Sequence, residues 1–430
     1  MRAHAKRLRM GRMNADARIA GAADVVVVGG GPAGLMASIA AARLGRRVVV
    51  VERLRRPGRK LLASGGGRCN LATALPEAEI LAAFGRRGRF VQPALAALSG
   101  SALRAMLHAR GVPTHAPDGR RVFPVSDRAA DVLGALLDMA EEGGVRLRAG
   151  VGASALWMEG GRLAGIDTSA GRLAAPRVIL AAGGMGYPDL GGSGAGYDLA
   201  RQAGHTLADP RPALVPLVTR EIWPRRCAGI ALPAARLRIG LAKQPKAGVS
   251  GGVLFTHRGI SGPAVLDLSG DVSVLLARHE TVPVVLDLDP ATPRDAWLAR
   301  FGEWERVAGR RSVRTLLAGY LSRSLAEVVL ALAEVDPHRR PSQVAAPLRR
   351  RLADRLTRLP LTVTGTEGWA RAMVTRGGVA LGEVDPQTLE SRRLPGLAFA
   401  GEILDLDGPT GGFNLQWAFA SGFLAGRAAT

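Results

Sequence analysis

The sequence predicts an α/β protein built on a doubly wound parallel sheet, with a second domain inserted into it. Three observations indicate this fold. Apolar strands run directly into glycines near residues 29, 183 and 401. The first of these strands is followed by an apolar helix and another valine strand. About 160 residues between the second and third glycine turns differ in pattern from both flanking regions.

The first strand, Val25 to Val28, leads into glycines spaced as G-x-G-x-x-G. Each glycine has a physical task. Gly29 permits a tight turn, Gly31 lets a pyrophosphate approach the backbone, and Gly34 lets the next helix pack close to the strand. That helix, predicted from Leu35 to Leu44, begins with unpaired N–H groups and a partial positive charge that suit phosphates.

A second valine strand, Val48 to Val51, ends on Glu52. An acid at about this distance from the glycines, ~20 residues, accepts a hydrogen bond from a ribose hydroxyl in dinucleotide-binding domains. The full order of strand, glycines, helix, strand and acid predicts a dinucleotide that contains ADP. It does not say which dinucleotide.

The next elements continue the alternation of helices and strands. In chain order we predict helices at about 91–110 and from a cap at Ser126–Asp127 to Gly143, a strand at 145–149, short antiparallel strands within 153–175, and a buried strand at 178–182 that opens into Gly183.

The chain changes character near residue 206, where prolines at 210, 212, 216 and 224 interrupt it. We assign residues 22–205 and 366–430 to a discontinuous cofactor-binding domain, and residues 206–365 to an inserted domain with a β part (about 206–290) and a helical part (about 291–365). A strand near 397–400 and a helix from about residue 414 return to the first pattern. Residues 1–21 are expected to be a disordered basic tail, with a true start codon at Met10 or Met13 as the alternative.

Composition excludes several classes of protein. No apolar run reaches the ~18 residues of a membrane helix, and residues 1–21 lack the apolar core of a secretory signal. Two cysteines, Cys69 and Cys227, cannot form a disulfide framework or a Cys-x-x-Cys site. We therefore expect a protein of the reducing cytoplasm without a metal site.

The formal net charge of +22 is the other unusual property. Only four of the 58 basic residues are lysines, which is typical of the codon usage of a GC-rich genome. The arginines are also scattered along the chain. We interpret the charge as solvated surface charge and do not expect a nucleic acid as partner, with a polyanion-binding surface as the alternative.

The stretch from Gly401 to Gln416 identifies the cofactor. A strand here ends in Gly401 and Glu402, and Gly411 and Gly412 then open a helix. In FAD proteins of this architecture such an element lies along the ribityl chain and the N1/O2 edge of the flavin, where a helix start stabilises the anion of reduced flavin. The sequence therefore predicts an FAD site built from both ends of the chain.

The chain resembles the YhiN/BaiN-type family of NAD(P)/FAD-dependent, aminoacetone oxidase-like flavoproteins. The resemblance rests on Ser64–Asn70, Val122–Ser126, Thr256–Pro263 and Gly401–Gln416, and it spans about residues 23–428. It implies non-covalent FAD in a glutathione reductase-like domain that carries an inserted domain with β-barrel and helical parts. The chain departs from the family at two places. Gly252–Val253 stands where Gly-Glu is usual, and Phe413 replaces a common Tyr, which puts substrate specificity in question.

The predicted FAD-binding residues lie in the glycine turns, the acid that follows them and the two glycine-rich loops. They are Gly29, Gly31, Pro32, Ala33, Gly34, Glu52, Arg53, Lys60, Ser64, Gly66, Gly67, Arg68, Cys69, Asn70, Ala182, Gly183, Gly401, Glu402, Gly411, Gly412, Phe413 and Asn414.

Several side chains allow two interpretations of their role. Arg68 is expected to balance pyrophosphate or flavin charge, and Cys69 to be buried or to line the flavin rather than to act in redox chemistry. His257 is the candidate acid or base, with a turn-stabilising hydrogen bond as the alternative. His205 is expected to cap a helix end. The acids at 405 and 407 are expected to serve a turn or the cofactor rather than a metal.

These residues predict an FAD-dependent oxidoreductase in which hydride passes through flavin N5. Its substrate is expected to be a small molecule, and the oligomeric state is open. One alternative is NAD(P)H-dependent reduction of an enone, with NAD(P)H docking transiently, and another is oxidation of a small amine with release of peroxide. A third is an RNA-associated flavoprotein that uses the basic surface, and a fourth is a flavin-binding regulatory protein.

Overall fold

The computed structural model describes residues 23–307 and 309–429. The predicted tail at residues 1–21 lies outside the described residues. Among the described residues, no helix is both long enough and apolar enough to cross a membrane. The buried hydrophobic side chains form two large cores, one in the doubly wound part and one in the inserted part.

Nineteen strands and thirteen α-helices make up the described fold. The strands are β1 (Val25–Val28), β2 (Val48–Glu52), β3 (Ala72–Thr73), β4 (Thr114–His115), β5 (Arg121–Pro124), β6 (Arg146–Ala149), β7 (Ala153–Glu159), β8 (Arg162–Thr168), β9 (Gly171–Ala174), β10 (Arg177–Leu180), β11 (Leu207–Ala213), β12 (Leu217–Thr219), β13 (Ala231–Ile239), β14 (Val249–Phe255), β15 (Gly259–Ser261), β16 (Val282–Asp287), β17 (Leu359–Thr366), β18 (Val374–Val379) and β19 (Leu397–Phe399). The helices are α1 (Pro32–Ala42), α2 (Arg59–Ala63), α3 (Glu77–Ala83), α4 (Gly88–Ala97), α5 (Gly100–His108), α6 (Ala129–Glu142), α7 (Ala195–Gln202), α8 (Pro263–Leu276), α9 (Arg294–Val307), α10 (Val313–Leu317), α11 (Arg323–Leu332), α12 (Ala346–Thr357) and α13 (Phe413–Ala428).

The central sheet has the order β19-β10-β1-β2-β6, and every neighbouring pair is parallel. Both β1 and the valines of β2 are fully buried, as continuous valine runs in a parallel sheet predict. The carboxyl ends of β1, β2, β10 and β19 therefore meet at one edge, and the glycine turns that follow β1, β10 and β19 lie there. The predicted fold class, a doubly wound α/β domain with an inserted barrel, is confirmed.

Helix α13 packs along α1, so the C-terminus covers the helix that starts at the first glycine turn. Glycines one turn apart make this approach possible. A Cβ atom at Gly422 would collide with the carbonyl of Ala33, and one at Gly426 with the carbonyl of Ala37. The two ends of the chain thus form one layer beside the central sheet.

The predicted cap of α6 at Ser126–Asp127 is wrong. The N-cap is Arg128, and no side chain caps the helix. Asp127 adopts a left-handed backbone with φ of 50°, which takes it out of the capping position. Asp131 in the first turn instead places negative charge near the helix N-terminus. The predicted antiparallel strands within 153–175 form the sheet β7-β8-β9.

The chain enters the inserted part through β11 and leaves it through β18, which pair antiparallel. Between them, six strands close into a barrel in the order β12-β15-β14-β13-β16-β17. Helices α9 to α12 precede β17. Most of this last barrel strand lies inside the range assigned to the helical part. Its side chains Leu359, Leu361 and Val363 are buried and alternate with less buried ones, which is the period of two of a strand. The domain boundaries themselves stay a prediction.

Candidate cofactor site

The turn between β1 and α1 has the shape of a pyrophosphate cradle. Gly29 has a φ of 111°, and a Cβ atom at Gly34 would collide with the carbonyl oxygen of Gly29. Gly31 is the N-cap of α1, and no side chain caps it. A Cβ built at Gly31 has nothing within 4 Å. Open space thus lies in front of an uncapped helix start, which is the arrangement that an anionic diphosphate requires.

Glu52 is fixed beside this turn at the end of β2. Its Oε2 accepts the N–H of Gly30 at 2.7 Å, and its Oε1 accepts the N–H of Leu54 at 2.8 Å. A carboxylate has about four lone-pair directions, so the two backbone bonds leave acceptor capacity for a ribose diol. The position supports the predicted ribose contact, which stays a prediction.

The loop from Ser64 to Asn70 is held open by left-handed backbone. Gly65, Gly66 and Gly67 have φ values of 57°, 69° and 88°, and Cys69 follows at 64°. The Ser64 hydroxyl donates to the carbonyl of Leu61 at 2.6 Å. Nothing lies within 4 Å of a Cβ built at Gly66, so backbone in this loop borders free space.

This loop is joined to the start of α13 from the other end of the chain. With the Asn70 amide turned so that its oxygen faces Gly412, the oxygen accepts the N–H of Gly412 at 3.1 Å and the nitrogen donates to the carbonyl of Ala72 at 3.3 Å. In β3, the N–H of Thr73 donates to the side-chain oxygen of Gln416 at 3.0 Å. Gly412, with φ of 102°, is the uncapped N-cap of α13. The two predicted glycine-rich elements therefore lie in contact with each other, which supports the prediction that they form one site.

Lys60 and Glu402 make the second link between the two ends. Lys60 Nζ lies 2.7 Å from Glu402 Oε2, and Glu402 Oε1 accepts the N–H of Thr375 at 3.0 Å. The preceding residue, Gly401, has φ of 77° and stands against Ala33 of α1. Lys60 and Glu402 thus neutralise each other beside the first turn of α1.

Two predicted cofactor residues at the start of α13 also shape the protein itself. The Asn414 amide accepts the N–H of Gly408 and donates to its carbonyl, both at 2.8 Å. The ring of Phe413 packs edge-on against Phe84, with centroids 6.1 Å apart. These contacts fix the turn at 408–412 in front of the helix.

The remaining predicted residues are arranged around the same edge of the sheet. Arg68 stacks over the Phe123 ring at 4.7 Å, and Arg53 donates to the carbonyl of Gly191 at 3.3 Å. Ala182 and Gly183 follow β10, one residue after its end. Burial raises the pKa of the Cys69 thiol to about 12, which supports a structural role rather than a redox one.

Comparison with known proteins assigns the chain to a family. The HI0933-like protein Rossmann domain family matches residues 23–428. The chain belongs to this family. A 3-dehydro-bile acid delta(4,6)-reductase of Clostridium scindens is 33% identical over 405 residues, which cover 94% of this chain and 98% of that relative. A ribosomal RNA dihydrouridine synthase of Escherichia coli K12 is 31% identical over 403 residues, covering 93% and 96%.

A solved structure shares the fold of this chain. The 3-ketosteroid delta1-dehydrogenase of Sterolibacterium denitrificans superposes with a TM-score of 0.50 at 15% identity, over 95% of this chain and 99% of that one. This likeness shows the fold alone. The family and its relatives make the protein an FAD-dependent oxidoreductase, so the predicted cofactor and enzyme class are confirmed.

His257 is not placed with the glycine turns. It is exposed at the tip of the turn between β14 and β15, where the carbonyl of Arg258 accepts the N–H of Thr219. The Thr256 hydroxyl, rather than the imidazole, accepts the N–H groups of this turn. Within the described residues His257 has no side-chain hydrogen bond, so its role as acid or base stays a prediction.

His205 follows a helix end, as expected, but its side chain is buried. Its Nε2 lies 2.7 Å from the Ser391 hydroxyl, and its Nδ1 lies 3.1 Å from Glu383 Oε2. The ring packs edge-on against Phe399. Burial lowers the pKa of His205, against the opposing charge of Glu383. This histidine ties α7 to the segment before β19.

The acids at 405 and 407 bind arginines. Arg87 donates to Asp405 at 3.0 Å and to Asp407 at 3.1 Å, and Arg376 donates to both oxygens of Asp407 at 3.1 Å. Arg376 also pairs with Asp271 of α8. No group of three or more potential metal ligands occurs in the part of the chain that the structure describes.

Sequence reasoning missed the residues with which the inserted part contacts the cofactor loops. Asp267 of α8 accepts the N–H of Thr410 at 2.7 Å, directly before the two glycines that open α13. Burial raises the pKa of Asp267, while the bond from Thr410 opposes that shift. One signal was available, because Asp267 and Asp271 are the charged residues of this helix, lie four residues apart and therefore share a face.

Proposed function

We propose that this flavoprotein uses NAD(P)H to reduce the carbon–carbon double bond of a uracil base in ribosomal RNA. One observation carries the proposal. Two relatives that match over nearly the whole chain are named for the same chemistry on different substrates. A delta(4,6)-3-oxo steroid and a uracil both hold a double bond conjugated to a carbonyl, and the names reductase and dihydrouridine synthase both describe its saturation.

The reaction balances with reductant supplied by NAD(P)H. FAD supplies hydride transfer between the nicotinamide and the substrate carbon. The substrate double bond gains that hydride at one carbon and a proton at the other, and NAD(P)H becomes NAD(P)⁺. The chain provides the uncapped start of α1 for the diphosphate and the uncapped start of α13 for the flavin.

Charge favours RNA over a steroid as substrate. The net charge is +22, whereas a bile acid carries a single negative charge that requires no such field. This proposal departs from the interpretation of the arginines as solvated surface charge. Reduction of a steroid-like enone is the second candidate, because the bile acid reductase is the 33% identical relative.

Two experiments test the proposal in sequence. Anaerobic stopped-flow mixing with NADPH or NADH is expected to bleach the visible absorbance of bound FAD. The reduced enzyme is then incubated with ribosomal RNA from a strain that lacks this gene, and its nucleosides are analysed by mass spectrometry. Dihydrouridine, heavier than uridine by two hydrogens, is expected only with holoenzyme and not with FAD-stripped protein.

The other outcomes separate the rivals. Turnover of a 3-oxo-4,6-diene steroid without dihydrouridine formation would favour the second candidate. Bleaching by aminoacetone with peroxide formation in air, and none by NAD(P)H, would favour an amine oxidase and refute the reductase. A flavoprotein that no donor reduces would be a binding or regulatory protein.

A further inference from the structure

A group of exposed arginines without carboxylate partners lies beside the cofactor site. Some arginines of the described chain are held in ion pairs, such as Arg349 with Glu305 on the helical part. The four arginines between residues 55 and 68 are not paired in this way, and we call them the arginine face. They are Arg55, Arg56, Arg59 and Arg68, all exposed and without an ion pair in the described part of the chain.

The backbone holds this face against the cofactor turn. The N–H of Gly58 donates to the carbonyl of Gly30 at 3.0 Å, so the loop that carries Arg55 and Arg56 rests on the G-x-G-x-x-G turn. Arg59 then begins α2, which leads directly into the glycine-rich loop. The face therefore runs from the diphosphate end of the site towards its flavin end.

Arg68 ends the face on an aromatic platform. Its guanidinium lies 4.7 Å from the centre of the Phe123 ring, and that of Arg121 lies 5.9 Å from it. Arg68 donates one weak bond, to the carbonyl of Gly65 at 3.4 Å. A guanidinium held flat on a ring can pair with phosphate or stack on a base.

The acids nearby do not cancel this charge. Both oxygens of Glu52 accept backbone N–H groups, and Asp118 pairs with Arg121 at 2.6 Å, outside the four residues of the face. Hydrated guanidinium groups close together without anions repel one another, and an anionic partner relieves that repulsion. The spacing along a loop and a short helix suits a chain of phosphates more than one small anion.

We propose that the arginine face binds the phosphate backbone of the RNA substrate next to the flavin. This inference rests on the proposed function and adds the surface that docks the RNA. A base in structured RNA must leave its stack to reach an enzyme's reactive group, so the flanking backbone has to be held beside the site. Arg55, Arg56 and Arg59 hold that backbone, and Arg68 contacts it nearest the flavin.

The test compares two triple variants of the holoenzyme. One is R55Q/R56Q/R59Q. The matched control, R278Q/R306Q/R350Q, removes three exposed arginines without ion pairs from the inserted part of the described chain. Binding of a ribosomal RNA fragment is measured against salt. The slope of log affinity against log salt is expected to shrink by about 2 to 3 in the first variant, at roughly 0.7 to 0.9 per lost phosphate contact, and to change little in the control.

Parallel measurements separate the possible failures. FAD content and the rate of flavin bleaching by NADPH report folding and the reductive step, and both are expected to match wild type. Equal salt slopes in the two variants would overturn the arginine face while leaving the proposed function intact. A higher NADPH concentration needed for flavin bleaching, with an unchanged salt slope of RNA affinity, would also overturn it. The arginine face would then bind NADPH rather than RNA. If wild type neither binds RNA nor forms dihydrouridine, the proposed function itself fails.

Discussion

Lys60 Nζ contacts Glu402 Oε2 at 2.7 Å, and this ion pair joins positions 342 residues apart in the sequence. The two side chains are 26% and 21% exposed, so water screens the pair only in part. Glu402 also accepts the N–H of Thr375 from β18. The pair thereby connects α2, the turn after β19 and the strand that leaves the inserted part.

The substitution K60M is expected to lower the free energy of unfolding by about 1–3 kcal/mol, between the values for exposed and buried pairs. The reason is that Glu402 would keep its charge in a half-buried position without a cation. Urea unfolding of the holoenzyme measures the loss. R201M, which breaks the exposed Arg201–Asp198 pair, is the control and is expected to cost less than about 1 kcal/mol. Equal losses would show that the Lys60–Glu402 pair stabilises the fold no more than an exposed pair does.

Two glycines of the first turn are expected to respond differently to alanine. At Gly34 a Cβ would collide with the Gly29 carbonyl, so G34A is expected to disrupt the packing of α1 and to yield little soluble holoenzyme. At Gly31 the backbone has φ of −82° and the space is open, so G31A is expected to fold. Its added methyl group would occupy the path of the diphosphate and weaken FAD binding by on the order of tenfold.

Fluorescence titration of apoprotein with FAD, with thermal unfolding of the same samples, distinguishes these outcomes. G31A should unfold like wild-type apoprotein and differ only in FAD affinity. Normal FAD affinity in G31A would mean that the diphosphate does not approach the backbone at this glycine.

The geometry of the first glycine turn could be predicted because its signals are local. Valine runs, glycine spacing and the acid Glu52 follow from backbone requirements that neighbouring residues satisfy. The pairing of Arg87 with Asp405 and Asp407 could not be predicted, because it joins residues more than 300 positions apart and any surface arginine would have served equally well. The role of His257 stays a prediction, since a turn sequence does not reveal which end of a barrel it occupies.

Cys69 is expected to be chemically inert in the folded protein. Its side chain is fully buried, and burial raises its pKa to about 12, so almost no thiolate exists at neutral pH. Cys227 is also buried, and its pKa is raised for the same reason. A colorimetric thiol reagent at pH 8 is expected to label neither cysteine until the protein is unfolded, when both react. Fast labelling of Cys69 in the native holoenzyme, assigned by peptide mapping, would reopen a redox role.

Arg87 and Arg376 pair with three carboxylates, those of Asp271, Asp405 and Asp407. Of these three, Asp407 is expected to lower the free energy of unfolding most when its charge is removed. Its side chain is 6% exposed and contacts both Arg87 and Arg376. D407N leaves these partly buried guanidinium groups with less compensating charge, and we expect a loss of about 3–5 kcal/mol in the free energy of unfolding. D271N removes the exposed partner of Arg376, 58% accessible, and is expected to cost about 1 kcal/mol or less. Denaturant unfolding of both variants at the same salt concentration gives the comparison.

Asp267 is expected to make stability depend on pH in the direction opposite to that of a salt-bridged acid. Burial raises its pKa in the folded protein above the ordinary value of 3.8. Below that value both folded and unfolded chains are protonated, and the carboxyl costs nothing. As the pH rises through the interval between the unfolded and folded pKa, the unfolded chain loses its proton first, so the free energy of unfolding decreases and then levels off.

D267N removes this titration and keeps an amide oxygen that can accept the Thr410 N–H. The stability of D267N relative to wild type is therefore expected to increase as the pH rises from about 4 and to become constant at higher pH. Unfolding of both proteins in a series of buffers measures this difference. D295N, at a carboxyl that is 95% exposed, is the control, because a hydrated carboxyl has no burial to relieve. A difference between D267N and wild type that falls with rising pH would mean that Asp267 is stabilised as the anion, and that the bond from Thr410 outweighs its burial.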